Sequence, residues 1–254
     1  MHGEAMAIAD RALNYAVQSM AWQINIPAEE NVRPIILFNP HAWPSRVNVE
    51  VEFGRFRDED VLLDDEGNLV PVQGLQSEAT ANGRHRLSFN ADLPPLGYRV
   101  YRVVPRPGER LSETAVSATD TVLENGRFRL EFNPDTGNIK SLRDKQGELE
   151  VFSGEAARAV VLADDSDTWG HNVFTFGPEI GAFQATSVRL VAHGPVKSVV
   201  RVISEYGRSR LVQDFAIYPD SHRIDVRATV DWHEQFKMLK LRFPLNLQFM
   251  KATY

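Results

Sequence analysis

Eight consecutive residues bring together the side chains best suited to holding a sugar. The segment Asp164–His171 contains three carboxylates, one indole and one imidazole. Carboxylates accept hydrogen bonds from sugar hydroxyls, and a tryptophan face can stack on the apolar face of a pyranose. Two carboxylates could also serve glycosidase acid and base chemistry, but spacing within one loop does not fix their separation in space. The segment predicts a sugar-binding loop, and the alternative is a solvated acidic turn anchored by one tryptophan.

A second cluster, Asp231-Trp232-His233-Glu234, follows a strong strand pattern. His233 and Glu234 resemble the start of a zinc-protease helix, but that motif needs a histidine where Lys237 stands. We therefore interpret the cluster as a strand end with a buried tryptophan. The other histidines have no metal-ligand spacing, so local sequence assembles no metal site. These are His2, His41, His85, His193 and His222.

The elements that must position these residues begin with a helix. Apolar residues recur at three- and four-residue spacing along the first 25 residues and predict one amphipathic helix. The apolar stripe consists of Met6, Ala9, Leu13, Ala16, Val17, Met20 and Ile24. One helix cannot bury such a face alone, so we expect its partners outside this chain or elsewhere in the fold. Proline at position 27 donates no helical hydrogen bond and ends the element.

From Arg33 onward the hydrophobic period changes to two, which is typical of half-buried strands. The first group of predicted strands comprises residues 34–38, 47–53, 85–89 and 97–104. Turn residues such as Asn82-Gly83 separate them. This small all-β unit ends at Pro105, and the composition up to Thr119 is typical of a linker.

A second β region begins at Thr121. Its later predicted strands are residues 187–191, 196–204, 208–217, 222–232 and 239–249. Because no helical pattern lies between them, they favour antiparallel sandwiches over a parallel α/β sheet. The last strand pattern is followed by only five residues, without a closing turn, so we expect a fragment of a longer polypeptide.

Composition excludes several classes of function. The 254 residues hold 28 Lys+Arg and 34 Asp+Glu, a net charge of −6, which lacks the basic excess of a nucleic-acid-binding surface. With no cysteine there is no disulfide framework, thiolate zinc site or catalytic thiol. No apolar stretch approaches the roughly 20 residues that cross a bilayer, and no signal-peptide pattern opens the chain. We predict no nucleic-acid or membrane partner and a cytoplasmic location.

Five motifs, in this order, resemble the C-terminal half of bacterial α-mannosidases of glycoside hydrolase family 38. They are Glu124–Phe132, Ser141–Asp144, Asp165–His171, His193–Val196 and Asp231–Glu234. The segment Leu93–Tyr98 resembles the close of that family's small β domain, and residues 1–24 resemble the last helix of its middle bundle. The resemblance covers nearly the whole chain.

The resemblance implies a mainly β protein built from antiparallel β-sandwich domains with an N-terminal helix. Residues 1–26 would be the terminal helix of a bundle, 27–105 a small β-sandwich and 106–119 a linker. Residues 120–254 would form a larger sandwich similar to the galactose mutarotase-like supersandwich, incomplete at its C-terminus.

The resemblance also implies an activity, the zinc-dependent, retaining hydrolysis of α-mannosides or another carbohydrate. In such enzymes the zinc ligands and the aspartate nucleophile come from an N-terminal barrel, and no position here matches those motifs. We therefore assign no catalytic or metal residue and expect this chain alone to be inactive and to hold no zinc. A barrel of the same polypeptide is the expected partner.

The family implies one site for this chain, because a loop of its large β domain reaches towards the sugar. Asp167, Trp169 and His171 are the predicted substrate-binding residues. The alternative function is a non-catalytic carbohydrate-binding or structural β module that never had a barrel. The coding sequence upstream of Met1 distinguishes the two.

Overall fold

A computed structural model describes residues 2–54, 56–77, 84–165 and 174–247. The chain divides into two compact units, Met1–Leu111 and Ser112–Tyr254. Strands dominate both units, and every strand pair in the described ranges is antiparallel. The prediction of a mainly β, antiparallel fold with an N-terminal helix is confirmed.

Helix α1 spans His2–Ala21. Its apolar stripe is where the periodicity predicted it, yet Met6, Leu13 and Met20 are 68%, 63% and 45% exposed. Within the described ranges, therefore, no element covers this face of the helix. Over the same ranges no helix combines the length and hydropathy that a membrane span requires.

The first unit is a sandwich of two small sheets. Its strands are β1 (Arg33–Phe38), β2 (Ser45–Phe53), β3 (Asp60–Leu63), β4 (Leu69–Val70), β5 (Val72–Leu75), β6 (His85–Leu93) and β7 (Tyr98–Pro105). One sheet has the order β1-β7-β3-β4 and the other β2-β6-β5. Side chains from both sheets meet in the core, where the Phe89 and Tyr101 rings lie 5.1 Å apart.

The described residues of the second unit form three sheets, with orders β12-β11-β10-β9-β8, β15-β16-β17-β18 and β14-β13-β19. Its strands are β8 (Ser117–Ala118), β9 (Val122–Glu124), β10 (Phe128–Phe132), β11 (Ile139–Asp144), β12 (Leu149–Glu150), β13 (Arg158–Ala163), β14 (Glu179–Ala182), β15 (Gln184–Ala192), β16 (Ser198–Tyr206), β17 (Ser209–Ile217), β18 (Ile224–Asp231) and β19 (Lys237–Arg242). Strand β8 lies within the segment 106–119 whose composition predicts a linker.

The main core of the second unit lies between its two larger sheets. Phe132 and Phe215 meet there at 4.9 Å, surrounded by fully buried aliphatic side chains. The turn before β11 fits tightly over this core. Gly137 has φ +69°, and a Cβ at that position would stand 2.5 Å from Val202 Cγ1, so only glycine fits without displacement.

Strand β18 has an uncovered side. The register pairs Val226 with Phe215 and Val230 with Leu211, and both partners face the core. Paired residues share a face of the sheet. Val226 and Val230 are nevertheless 45% and 43% exposed, so no described residue completes the core at this edge.

Candidate functional site

The three predicted substrate-binding residues, Asp167, Trp169 and His171, lie outside the described residues. The described segments on either side of them end at Asp165 and resume at Phe174. The residues near these two ends form the base of the predicted loop.

The predicted loop leaves the end of β13 between two neighbouring segments. The Ala163 amide donates to the Pro178 carbonyl at 3.0 Å, and the Asp164 amide donates to the Phe236 carbonyl at 2.9 Å. Gly177 lies so close that a Cβ there would collide with the Ala163 carbonyl oxygen. The base of the loop is thus held on both sides by main-chain hydrogen bonds.

The turn after β18 is fixed by Glu234. Its carboxylate accepts hydrogen bonds from the Arg208 amide at 3.1 Å, Ser209 Oγ at 3.3 Å and Lys237 Nζ at 2.7 Å. The Lys237 ammonium, followed by the Arg208 amide, lowers the pKa of Glu234. A carboxylate so engaged is an anchor for the turn rather than a free acid or base.

Exposed aromatic rings lie around this base. Phe236 is 76% exposed and has φ +54°, a conformation that bulky residues rarely adopt. Phe174 is also strongly exposed, and Lys240 Nζ stands 3.1 Å from the centroid of the Phe176 ring. Aromatic faces are the surfaces on which pyranose rings stack, so the base offers the stacking chemistry that the loop sequence predicts.

Ion pairs connect the three strands that carry the loop. Glu179 on β14 accepts from Arg158 on β13 and from Arg242 on β19, both at 2.7 Å. Glu179 thus links β14 both to its neighbour β13 and to β19, which pairs with the other side of β13. Neither this bridge nor the role of Phe236 was predicted. The only sequence feature that pointed to Phe236 is that it is an aromatic residue close to the Asp231–Glu234 motif.

The second sequence cluster lies at the end of β18, and its tryptophan is half-buried rather than buried as the sequence predicted. The Trp232 ring stacks beside Phe183 at 6.4 Å and packs against a small core with Leu239 and Leu241. Residues 232–236 do not form a helix, and His233 Nε2 lies 2.9 Å from Asp231 Oδ1. The cluster therefore lacks the geometry of a zinc-protease motif.

Histidines elsewhere are engaged separately. His193 Nδ1 lies 2.9 Å from Ser198 Oγ, and the His41 ring stacks on Trp43. Across the part of the chain that the structure describes, no three His, Asp or Glu side chains are grouped so that they could hold a metal. These residues do not fit a catalytic zinc site, and no chemical step is derived through one.

Comparison with known proteins identifies the second unit. The family model described as the glycosyl hydrolases family 38 C-terminal domain matches residues 123–254. Alpha-mannosidase G of Dictyostelium discoideum is 24% identical over 183 residues, which cover 64% of this chain and 17% of that protein. Alpha-mannosidase 2C1 of Homo sapiens is 27% identical over 206 residues, which cover 74% of this chain and 19% of that protein.

The mouse alpha-mannosidase 2C1 is similar at 27% identity over 189 residues, 68% of this chain and 18% of that protein. The chain thus spans less than a fifth of the length of each of these relatives. The family model covers more than half of the chain, and the order of motifs in the sequence leads to the same family. The chain belongs to glycosyl hydrolase family 38, and residues 123–254 are its C-terminal domain.

Proposed function

We propose that this chain is the β-rich part of an α-mannosidase, which hydrolyses α-mannosides as an intact protein. The observation that carries the proposal is the match of residues 123–254 to the C-terminal domain of a glycoside hydrolase family. The three relatives described above are all named α-mannosidases, which supports mannose as the sugar.

In the proposed mechanism an N-terminal barrel of the same polypeptide cleaves the glycosidic bond. That barrel would supply the zinc ligands and the nucleophile of a retaining reaction, and the described residues of this chain hold no group that could bind zinc. This chain would complete the rim of the sugar site. In the proposal Trp169 packs beside the mannose ring, Asp167 either accepts a hydroxyl hydrogen bond or holds the loop, and His171 is a further substrate-binding residue.

The described base of the loop supports this role. Main-chain hydrogen bonds from Ala163 to Pro178 and from Asp164 to Phe236 hold the point from which the predicted loop departs. A binding loop on a fixed base loses less conformational freedom when sugar binds. The exposed Phe236 and Phe176 rings add apolar faces beside it.

We also propose the domain organisation that the family implies. Residues 1–26 would be a bundle helix, 27–105 a small sandwich, 106–119 a linker and 120–254 an incomplete supersandwich of the galactose mutarotase-like type. The uncovered stripe of α1 and the uncovered side of β18 support the first and last of these assignments. Cytoplasmic location stays a prediction of the sequence.

The test is an assay of the full-length protein. Purified enzyme is given 4-nitrophenyl α-mannoside, with the β-mannoside and the α-glucoside as controls for anomer and sugar. We expect turnover of the α-mannoside alone. A coding sequence without an upstream barrel, or a folded full-length protein inert towards every α-mannoside tried, contradicts the proposal and favours the non-catalytic module.

A further inference from the structure

An aromatic surface on the first unit has no part in the proposed reaction. Trp43 is 61% exposed, and its ring stacks on His41 with centroids 4.8 Å apart and planes 12° apart. Leu96, which is 74% exposed, lies next to them because its amide donates to the His41 carbonyl at 2.8 Å. We call His41, Trp43 and Leu96 the Trp43 surface.

The buried residue Asn39 joins the two loops that form this surface, which contain Trp43 and Leu96. Asn39 Nδ2 donates to the Trp43 and Pro94 carbonyls, both at 2.8 Å. Its Oδ1 accepts from the His41 amide at 3.0 Å, and its own amide donates to the Gly97 carbonyl at 2.8 Å. Asn39 is only 4% exposed, so water does not compete for these bonds. The surface is preformed.

The loop that contains Leu96 and Gly97 has an unfavourable backbone conformation, and this conformation does not bury Leu96 in the core. Leu96 has φ +46°, which is unfavourable for a leucine, and its side chain points to solvent. A Cβ on Gly97 would stand 2.8 Å from Pro94 Cγ. The loop is therefore shaped to present an exposed apolar side chain rather than to bury one.

The composition of the surface fits a protein partner better than a sugar. Beside it, where β2 pairs with β6, Arg46 and Asp92 face each other at 3.8 Å and offset each other's charge. An apolar centre bearing tryptophan beside a polar rim is typical of contacts between folded proteins. A sugar site would instead need unpaired polar groups directed at hydroxyls.

We infer that the Trp43 surface is the docking site for the catalytic domain of the same polypeptide. The inference rests on the proposed function. Relatives of which this chain spans 17% to 19% leave ample length for such a domain. Trp43 and Leu96 expose apolar side chains that a covering domain would remove from water.

Hydroxyl-radical footprinting of the full-length protein, read by mass spectrometry, tests the inference without any substitution. The oxidation rates of Trp43 and Leu96 are compared with those of the same protein in urea. We expect both to be at least tenfold slower in the native protein, independent of protein concentration and of added methyl α-mannoside. Rates within threefold of those in urea overturn the inference.

Two further outcomes also overturn it. Protection that appears only at high protein concentration indicates a second copy of the chain, and protection that requires methyl α-mannoside indicates a sugar site. An active full-length enzyme with an unprotected Trp43 refutes the docking site alone. A protected Trp43 in a protein that cleaves no α-mannoside refutes the proposed function alone, and a coding sequence with no further domain refutes both.

Substitutions give an independent measurement. Leu96→Asn suits the left-handed backbone and removes the apolar side chain, whereas Leu149→Asn changes a half-exposed leucine of the second unit as a control. We expect Leu96→Asn to lower the Tm of the full-length enzyme by several degrees and Leu149→Asn to leave it nearly unchanged. A Tm that rises in Leu96→Asn, as relief of backbone strain alone would produce, overturns the inference.

Discussion

The main-chain amide of Asp164 donates a hydrogen bond of 2.9 Å to the carbonyl oxygen of Phe236. This bond joins the first residues of the predicted sugar-binding loop to a turn far along the chain. Glu234 fixes that turn, and the Phe236 ring stands in solvent. Asp164, the first residue of the predicted loop, therefore lies beside an exposed aromatic residue.

Replacing Trp169 by alanine tests the sugar site in the full-length enzyme. Loss of stacking from a desolvated site should weaken transition-state binding by roughly 1 to 3 kcal/mol, which lowers kcat/KM by about 5- to 150-fold. Steady-state kinetics and thermal unfolding are measured together. A tryptophan that only anchors the loop would lower the Tm and leave the kcat/KM of the folded enzyme unchanged.

Phe236→Asn should raise stability, because asparagine tolerates the left-handed backbone that Phe236 adopts. The ring is mostly exposed, so little buried surface is lost, and we expect a gain of about 0.5 to 1 kcal/mol. Denaturant unfolding measures it. Phe174→Asn is the matched control, since that ring is also exposed but its φ is not positive. Equal effects of the two substitutions would show that backbone strain is not the cause.

Gly137→Ala should be strongly destabilising. A side chain at φ +69° costs about 1 to 2 kcal/mol, and the contact with Val202 adds overpacking of about 1 to 3 kcal/mol. We expect a total loss of roughly 2 to 5 kcal/mol by urea denaturation. Gly126→Ala is the control, because a Cβ there meets nothing within 4 Å and its φ is not positive.

Glu155 should make the free energy of unfolding depend on pH in the acidic range. Hydrogen bonds from the Asn138 side chain, and then from Asn133 and Thr136, lower its pKa below the ordinary 4.5. A lowered folded-state pKa means that this stabilisation is complete above the ordinary pKa and is lost as the pH falls through the folded value. Asn133 Nδ2 and Asn138 Nδ2 donate to the Glu155 carboxylate at 2.6 Å and 2.7 Å. In Glu155→Gln one carboxylate oxygen is replaced by an NH2 group, which cannot accept a hydrogen bond from these donors.

We expect Glu155→Gln to cost about 0.5 to 1.5 kcal/mol at pH 7, since half-buried amide donors lose a charged acceptor. The difference from the wild type should shrink as the pH falls below 4.5. Urea denaturation of both proteins between pH 3 and about pH 7 measures it. A difference that stays constant across this range would exclude the carboxylate as the source.

The 254-residue chain should show no α-mannosidase activity and bind no stoichiometric zinc. A catalytic zinc needs about three protein ligands in fixed geometry, and the described residues offer no such group. Metal analysis tests for bound zinc, and an aryl α-mannoside assay tests for activity. Activity that follows this chain through purification, or one tightly held zinc per chain, would refute the prediction.

Much of the fold was predictable because period-two patterns are local. The strands predicted at 196–204 and 208–217 correspond to β16 at Ser198–Tyr206 and β17 at Ser209–Ile217. Short β8 was not predicted, since two residues carry no periodicity and its pairing with β9 decides its conformation. The pattern at 239–249 predicted β19, which ends within the described residues at Arg242.

The site was less predictable than the sheets. Residue types marked the segment 164–171 as sugar-binding, but the hydrogen bond from Asp164 to Phe236 is between main-chain groups and has no residue signature. The left-handed backbone of Phe236 is likewise imposed by its neighbours, since phenylalanine does not favour it. The apolar stripe of α1 could be predicted from the sequence, whereas the element that would cover it could not.

The pairing of β13 with β19 has a consequence for the order of folding. Strands β15 to β18 pair with their neighbours in sequence, whereas β13 and β19 join Arg158–Ala163 to Lys237–Arg242 across that whole meander. Local contacts close small loops and form early, but a contact across a long loop must wait for the chain between its ends to become compact. During synthesis β19 emerges last of the three strands in its sheet. We therefore expect the base of the predicted sugar-binding loop to be assembled late, on a scaffold that has already folded.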